Sequence, residues 1–260
     1  MAQQRLDLSI ANDVARIILT RGQVGNAIDL VFARELEDAA SHCLASQVRV
    51  VYITATGPQF CTGGDLKSFA NESDLPSHLA EVTSHLHAGI ATLVEMDAPV
   101  VAAVRGAVAG AGLGIVCAAD VVVAAKSSTF LMAYTRLALT PDGSTSWFLP
   151  RHLGLRRALD MTITNRILDS DEALDWGLVS RVVADDQVLD EASMIVESLA
   201  TGPTAAYGAA ARLLRSAAFN PLGAQLDSET ANIVARANSA DAREGLQAFL
   251  EHRRPAFNGE

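Results

Sequence analysis

The sequence predicts an α/β fold, with a mixed core over residues 1–200 and a helical region over residues 201–260. In the first part, segments rich in β-branched residues alternate with glycine-containing turns and helical patterns. From Ser144 onward the apolar spacing is helical almost throughout. Half of the 260 residues are apolar and only 5% are aromatic, so we expect a core built from Ala, Val, Leu and Ile.

The first part begins with a hairpin, since Asn12-Asp13 is a turn signal between two β-branched segments. Asp29 is placed to cap a helix, and Pro99 ends a later one. The predicted elements are strands 6–10 and 14–20, a helix from 29 to about 46, a strand at 48–54, a weaker helix at 77–95, and strands at 100–104 and 121–125.

The second part is predicted to consist of helices. Pro203 and Pro221 stand at helix starts, where the missing N–H costs nothing, and Ser239 is a candidate N-cap. The predicted helices span 144–152, 155–164, 170–176, 187–200, 204–219, 222–238 and 240–252.

Composition excludes several classes of protein. A formal charge of −10 argues against a nucleic-acid partner. The three cysteines are scattered and the six histidines lack zinc-like partners, so we expect a reducing compartment and no metal. Residues 1–10 have neither the basic nor the apolar segment of a signal peptide, and the apolar segment 115–125 is too short to span a membrane. We therefore expect a cytoplasmic protein without a membrane partner.

Two turns rich in small residues stand out: QFCTGGDLK at 59–67 and RGAVAGAGLG at 105–114. Each follows a strand and precedes a helical segment. The N–H groups in the first turn of a helix are unpaired, and two of them aimed at one point would stabilise an oxyanion. Taken alone, both segments are equally explained as tight turns. The second is neither a Walker loop nor a dinucleotide fingerprint, because its spacing and its missing lysine fit neither.

Together the two turns resemble those of the crotonase (enoyl-CoA hydratase/isomerase) superfamily. Further similar stretches are NAI at 26–28, PVVAAV at 99–104, the segment 105–120 and DWGLV at 175–179. The resemblance implies a ββα spiral core, a helical C-terminal trimerisation region, and a homotrimer or homohexamer. It implies an acyl-CoA thioester as substrate, no separate cofactor, and an oxyanion hole formed by the N–H groups of Gly64 and Ala111.

The resemblance also shows what is missing for hydration. Adding water across a 2-enoyl thioester needs one group to activate the water and another to deliver a proton. Hydratases of this superfamily use two glutamates, and the matching positions here are Gly114 and Tyr134. Hydration by the usual mechanism is therefore disfavoured.

One carboxylate remains near these positions, Asp142 in LTPDGS. By itself Asp142 is equally explained as the N-cap of the following helix. However, the segments 130–143 and 239–250 resemble the ring-1,2-epoxyphenylacetyl-CoA isomerase branch, in which the matching Asp is the catalytic carboxylate. A single carboxylate suffices for an isomerase, which removes a proton from one carbon and returns it two carbons away. We therefore expect Asp142 to act as acid and base, with the hydroxyl of Tyr134 as a second candidate.

Two other functions remain open. The segments 156–166 and 175–181 resemble 4-chlorobenzoyl-CoA dehalogenase, in which the Asp matching Asp142 attacks the ring and the His matching His87 activates water. Tyr134 and Gly64 depart from that pattern, since they replace a Trp and a Phe. A non-catalytic acyl-CoA-binding protein would also keep both turns and lose both glutamates, but it would not need Asp142.

The resemblance assigns the CoA moiety to residues near the first turn. Arg21 and Lys67 are candidates for phosphate contacts, and the backbones of Ala27 and Leu66 for adenine contacts. Asp65 is expected to fix the turn by accepting backbone hydrogen bonds rather than to do chemistry. The complete set of candidates is Arg21, Ala27, Gly63, Asp65, Leu66 and Lys67. The identity of the acyl group and the choice between trimer and hexamer do not follow from the sequence.

Overall fold

A computed structural model describes residues 4–260, and it contains the predicted α/β core and helical C-terminal part. The strands are β1 Leu6–Ala11, β2 Val14–Leu19, β3 Val50–Ala55, β4 Val100–Val104, β5 Ala107–Ala109, β6 Val121–Ala125, β7 Thr129–Leu131, β8 Leu168–Asp169 and β9 Arg181–Val183. The helices are α1 Leu30–Ala45, α2 Leu66–Phe69, α3 Leu75–Glu95, α4 Ala111–Ala118, α5 Thr145–Leu153, α6 Leu155–Thr164, α7 Ser170–Trp176, α8 Val188–Ala200, α9 Thr204–Ser216, α10 Leu222–Ala237 and α11 Ala240–Leu250. The expectation about a signal peptide in residues 1–10 falls partly on residues 1–3, which lie outside the described range.

The larger sheet has six strands in the order β1-β2-β3-β4-β6-β9. Only the β1–β2 hairpin is antiparallel, and its turn residues Asn12 and Asp13 have φ angles of 51° and 61°, as a tight hairpin turn requires. The other neighbours pair in parallel, and the central strands β3, β4 and β6 are buried along most of their length. In β4, Val101 and Ala103 pack with the apolar face of α8, whereas Ala102 and Val104 belong to the cluster that contains the buried faces of α1 and α3.

A smaller sheet, in the order β5-β7-β8, differs from the sequence-based expectation. Residues 106–114 were expected to form one turn leading into a helix, but residues 107–109 form β5, which pairs in parallel with β7. Strands of two or three residues have too little periodicity to be predicted locally. They form here because neighbouring segments already fixed by the larger sheet offer them hydrogen-bonding partners.

The topology brings several loops to one edge of the larger sheet. Strands β3, β4 and β6 are parallel neighbours, so their carboxyl ends lie at the same edge. The first glycine turn follows β3, the second follows β4, and the segment that contains Asp142 follows β6 by way of β7. The candidate residues therefore meet although the sequence separates them widely.

The three last helices leave much apolar surface exposed in the single chain. Helix α9 is tied to the core by Arg215, which donates to Asp120 and to the Val94 carbonyl oxygen, both at 2.6 Å. The large apolar side chains exposed on α9, α10 and α11 are Leu214, Leu222, Leu226, Ile233, Val234, Leu246, Phe249 and Leu250. The division of the chain at residue 200 into a core and a helical C-terminal region stays a prediction.

The C-terminal tail is anchored by a buried carboxylate. Asp241 is 4% exposed, and its two oxygens accept the N–H groups of Asn258 and Gly259 at 2.8 and 2.9 Å. The Gly259 carbonyl oxygen in turn accepts the N–H of Ala205 at 3.2 Å. These bonds fasten the end of the chain across α9 and α11.

We expect Asp241→Ala to lower the free energy of unfolding by about 1–3 kcal/mol, because two backbone N–H groups of the tail lose the buried carboxylate that accepts them. Urea unfolding monitored by circular dichroism measures the change. Asp241→Asn keeps one acceptor oxygen and should lose less. Equal midpoints for Asp241→Ala and the wild type would show that the tail is held by other contacts.

Candidate active site

The two glycine turns lie side by side at the carboxyl ends of β3 and β4. Cys61 and Val108 form an isolated parallel bridge, and the Ala109 N–H donates to the Cys61 carbonyl oxygen at 2.9 Å. The three cysteines are free and buried, as the sequence predicts for small apolar side chains. The second turn is thereby held against the first along its length.

The backbone around Gly64 orients its N–H group. The Ile28 N–H donates to the Gly63 carbonyl oxygen, and the Asp65 N–H donates to the Ile28 carbonyl oxygen, both at 2.8 Å. In such a parallel bridge the N–H of the central residue, Gly64, points away from Ile28. Within residues 4–260 nothing accepts this N–H, so it is available to a ligand.

The second candidate amide stands at a helix N-terminus. Ala111 is the first residue of α4, and Gly110 before it has φ 52° and ψ −129°, a conformation that favours glycine. The first N–H groups of a helix have no partner in the helix, and the helix dipole adds partial positive charge there. The Ala111 N–H therefore has no partner in the helix, and its role as an oxyanion donor stays a prediction.

Both amides border a cavity of about 270 Å³. Gly63, Gly64, Gly110 and Ala111 form the wall from the two turns. The remaining lining residues are Ile28, Thr62, Leu66, Phe69, Leu79, Val82, Thr83, Leu86, Ala133, Tyr134, Leu137, Leu139, Thr140 and Asp142. We call this space the acyl cavity. Its walls are mainly apolar, and Asp142 supplies its only carboxylate among the lining residues.

Asp142 is fixed by bonds to its side chain and its carbonyl group. The Tyr134 hydroxyl donates a short hydrogen bond to Oδ1, and the Asp142 carbonyl oxygen accepts from the Thr145 N–H at 3.1 Å and the Thr145 hydroxyl at 2.7 Å. No group in residues 4–260 donates to Oδ2 of Asp142. The N-cap of α5 is Ser144, so the interpretation of Asp142 as a helix cap is wrong. Its side chain is left with one oxygen free for chemistry.

Tyr134 is held in its neutral form. Burial, together with the negative charge of Asp142 and the hydrogen bond to it, raises the pKa of the Tyr134 hydroxyl far above its ordinary value of 10. The hydroxyl therefore remains a hydrogen-bond donor to the carboxylate at any physiological pH. Tyr134 and Asp142, which the sequence named separately, form one unit.

Gly114 is packed so closely that it admits no side chain. A Cβ atom built on Gly114 would lie 1.9 Å from the Gly143 carbonyl oxygen and 2.8 Å from the Gly143 carbonyl carbon. The loop that carries Asp142 thus fills the space into which a side chain at position 114 would project. A carboxylate at 114 and this position of Asp142 exclude each other.

His87 lies on the other side of this loop. It is not among the residues that line the acyl cavity, and its Nε2 accepts the Gly143 N–H at 3.1 Å. It borders a second, more open cavity of about 560 Å³ between α3, the loop and α5, which we call the rear cavity. Asp142 lines both cavities, so the loop separates them.

The candidate CoA residues fall into two groups. Gly63 and Leu66 line the acyl cavity, Lys67 is exposed beside it, and Ala27 is buried next to Ile28. Lys67 makes no ion pair within the described chain. These positions agree with a role in holding a ligand at the first turn, and that role stays a prediction.

Arg21 and Asp65 belong instead to a charged network beneath the turn. The Arg21 guanidinium is 15% exposed and contacts Asp29 at 2.8 Å and Asp65 at 3.3 Å. Asp65 also caps α2 by accepting the Ser68 N–H at 3.1 Å, as the sequence predicts for a turn-fixing residue. Burial acts to raise the pKa of Asp29, but the hydrogen bond and charge of Arg5, with the charge of Arg21, hold it below its ordinary value.

Sequence reasoning missed the wall formed by α3 and Phe69. Leu79, Val82, Thr83 and Leu86 line the acyl cavity at helical spacing. The Phe69 ring lies so close to Gly64 that a Cβ there would be 2.5 Å from it. The only available signal was the weak apolar periodicity of α3, which is equally expected of any helix packed on a core.

Two absences concern the described residues 4–260 alone. No group of three or more His, Cys, Asp or Glu side chains in this range could hold a metal ion. In the same range, none of the helices combines the length and apolarity needed to cross a bilayer.

Comparisons with known proteins agree with this geometry. A family model described as enoyl-CoA hydratase/isomerase matches residues 9–260. A Rhodobacter capsulatus protein named "probable enoyl-CoA hydratase" is 37% identical over 260 residues, which is 100% of both chains. The 1,2-epoxyphenylacetyl-CoA isomerase of Escherichia coli is 34% identical over 236 residues, covering 88% of this chain and 90% of the relative. The crystal structure of an enoyl-CoA hydratase from Polaromonas sp. JS666 superposes with a TM-score of 0.91 at 30% identity, covering 97% and 99% of the two chains.

We expect Gly114→Ala to lower the free energy of unfolding by about 1–3 kcal/mol, because the methyl group would overlap the Gly143 carbonyl. Gly223→Ala is the matched control, since a Cβ on Gly223 meets nothing within 4 Å and the exposed helix should gain slightly. Urea unfolding of both variants measures the difference. If Gly114→Ala and Gly223→Ala are equally stable, the Asp142 loop moves to accommodate the methyl group without a loss of stability.

Proposed function

The chain belongs to the enoyl-CoA hydratase/isomerase family, and we propose that it isomerises an acyl-CoA by shifting a double bond, with Asp142 as acid and base. One observation favours isomerisation over hydration. The contact between Gly114 and the Gly143 carbonyl leaves no room for a second carboxylate and places Asp142 beside the acyl cavity. A site with one carboxylate is suited to moving a proton, and not to the two-group chemistry of adding water.

The reaction would proceed through an enolate of the thioester. The thioester oxygen accepts hydrogen bonds from the Gly64 and Ala111 N–H groups, which stabilise the negative charge as it develops. Asp142 removes a proton from the carbon next to the thioester carbonyl, using its free Oδ2. The charge spreads over the conjugated dienolate, and the same carboxyl group returns the proton two carbons away. One oxygen can serve both positions when the chain is bound with both carbons facing Asp142.

Tyr134 would act through Asp142. Its hydroxyl donates to Oδ1, so it fixes the carboxyl plane and leaves Oδ2 directed elsewhere. Because burial and the charge of Asp142 raise the pKa of Tyr134, the hydroxyl stays protonated and serves as a donor to Oδ1. The apolar walls around this pair exclude water from the dienolate.

A dehalogenase or hydrolase of aryl-CoA thioesters is the second candidate. In its favour, the Phe69 ring beside Gly64 supplies an aromatic wall at the point where the dehalogenase resemblance requires one. Against it, the Nε2 atom of His87 is already occupied by the Gly143 N–H, and His87 does not line the acyl cavity. The third candidate, a non-catalytic binding protein, does not account for a carboxylate with a dedicated tyrosine partner.

The assembly and the compartment are proposed from the exposed apolar side chains and from the state of the cysteines. We propose a homotrimer or homohexamer, because α9, α10 and α11 expose more large apolar side chains than a monomer usually leaves in water. We propose a cytoplasmic location, because the three cysteines are free and buried.

The deciding experiment follows a 3-enoyl-CoA, such as 3-hexenoyl-CoA, in deuterated buffer by absorbance and mass. We expect a conjugated product that has gained deuterium but not water. Asp142→Asn should lower the rate by about 10²–10⁴-fold, because it removes the carboxylate that moves the proton. Asp186→Asn, at an exposed aspartate, is the control and should match the wild type. A hydrated product, or no conjugation and no exchange, would contradict the proposal for simple acyl chains.

We expect Tyr134→Phe to lower kcat about ten-fold with little change in KM, since the acyl cavity keeps its shape while Oδ1 of Asp142 loses its donor. Steady-state kinetics on the same 3-enoyl-CoA measures both constants. A loss as large as that of Asp142→Asn would instead identify the Tyr134 hydroxyl as a proton-transfer group.

A further inference from the structure

We infer that His87 is the positioning residue of Asp142, and that it works as a hydrogen-bond acceptor rather than as a base. This inference rests on the proposed function of Asp142. It starts from the bond between the Gly143 N–H and Nε2 of His87, 3.1 Å long. A backbone N–H can only donate, so Nε2 must carry a lone pair and the proton of the neutral ring must be on Nδ1.

The bond completes the fixation of one peptide group. The Asp142 carbonyl and the Gly143 N–H belong to the same peptide unit. Its oxygen accepts from the Thr145 N–H and hydroxyl, at 3.1 and 2.7 Å, while its N–H donates to His87. A planar unit held at both ends cannot rotate, and its orientation sets the direction of the neighbouring Asp142 side chain.

The local backbone makes this bond necessary. Gly143 has φ 56°, in the left-handed region where glycine moves easily between conformations. On the acyl-cavity side, the Tyr134 hydroxyl is the only group of the described residues that hydrogen-bonds to the Asp142 side chain. Without His87, the peptide that joins Asp142 to the flexible Gly143 would keep only its carbonyl contacts, and Oδ2 would sample a wider range of positions.

Helix α3 links this bond to substrate binding. Leu79, Val82, Thr83 and Leu86 of α3 line the acyl cavity, and His87 is the next residue along the same helix. The wall that contacts the acyl chain and the acceptor that fixes Asp142 therefore move as one rigid body. The distance from the bound chain to the carboxylate is thereby set by a single element.

The contacts of His87 argue against a role as a general base. Its Nε2 is used by Gly143, and the loop of residues 139–144 separates it from the acyl cavity. His87 is exposed and lines the rear cavity, and it is not among the residues that line the acyl cavity. The residue acts through Asp142 and does not touch substrate.

Two variants separate acceptor from base. His87→Gln keeps an acceptor oxygen near the position of Nε2 but cannot act as a general base, and we expect kcat close to that of the wild type. His87→Leu has no acceptor, and we expect kcat about ten-fold lower with KM nearly unchanged, because the buried Gly143 N–H loses its partner. If His87→Gln loses as much activity as His87→Leu, the residue transfers protons and the inference is wrong.

A second measurement does not depend on activity. Hydrogen–deuterium exchange of a peptide that spans residues 139–148, read by mass spectrometry with fragmentation to single residues, reports the Gly143 amide directly. We expect slow exchange in the wild type and His87→Gln, and fast exchange in His87→Leu. Unchanged exchange in His87→Leu would overturn the inference even if the isomerase activity is confirmed. If no isomerase activity is found, the exchange pattern still shows whether His87 fixes the peptide.

Discussion

The close packing of the Asp142 loop on α4 is the constraint on which the site depends. The Gly143 carbonyl rests on Gly114, at a distance that leaves no space for even a methyl group. This contact removes one carboxylate position and brings another carboxylate, Asp142, to the border of the acyl cavity. This single steric contact thus leaves one carboxylate among the residues that line the acyl cavity.

Other contacts in the site hold the backbone around the acyl cavity in a fixed position. The two turns are joined through Cys61 and Val108, the Ile28 bridge orients the Gly64 N–H, and the helix start at Ala111 supplies the second donor. Beneath the first turn, the contacts of Arg21 with Asp29 and Asp65 tie three segments together. The oxyanion role that we propose for these N–H groups depends on donors that do not need to reorganise, and the contacts described here hold both segments in place.

The fold was largely predictable because its elements carry local signals. The N-caps at Asp29 and Ser239, the turn at Asn12-Asp13 and the prolines before α9 and α10 are each determined by nearby residues. The short strands β5, β7 and β8 carry no such signal, since three residues contain barely one period of alternation. They exist because the surrounding backbone provides their hydrogen bonds.

The sequence by itself determined the two glycine turns as candidate oxyanion donors and the loss of glutamates at Gly114 and Tyr134. It also identified Asp142 as a carboxylate that is either a helix cap or a catalytic group. Only the tertiary structure excluded the helix cap, because Ser144 precedes α5 and the Asp142 side chain instead contacts Tyr134 at the border of the acyl cavity. The hydrogen bond between the Gly143 N–H and His87 could not be predicted either, because 56 residues separate the two positions. Short-range sequence patterns indicate the backbone conformation that nearby residues favour. A site is formed by segments far apart in the sequence, and only the folded sheet brings them to one edge.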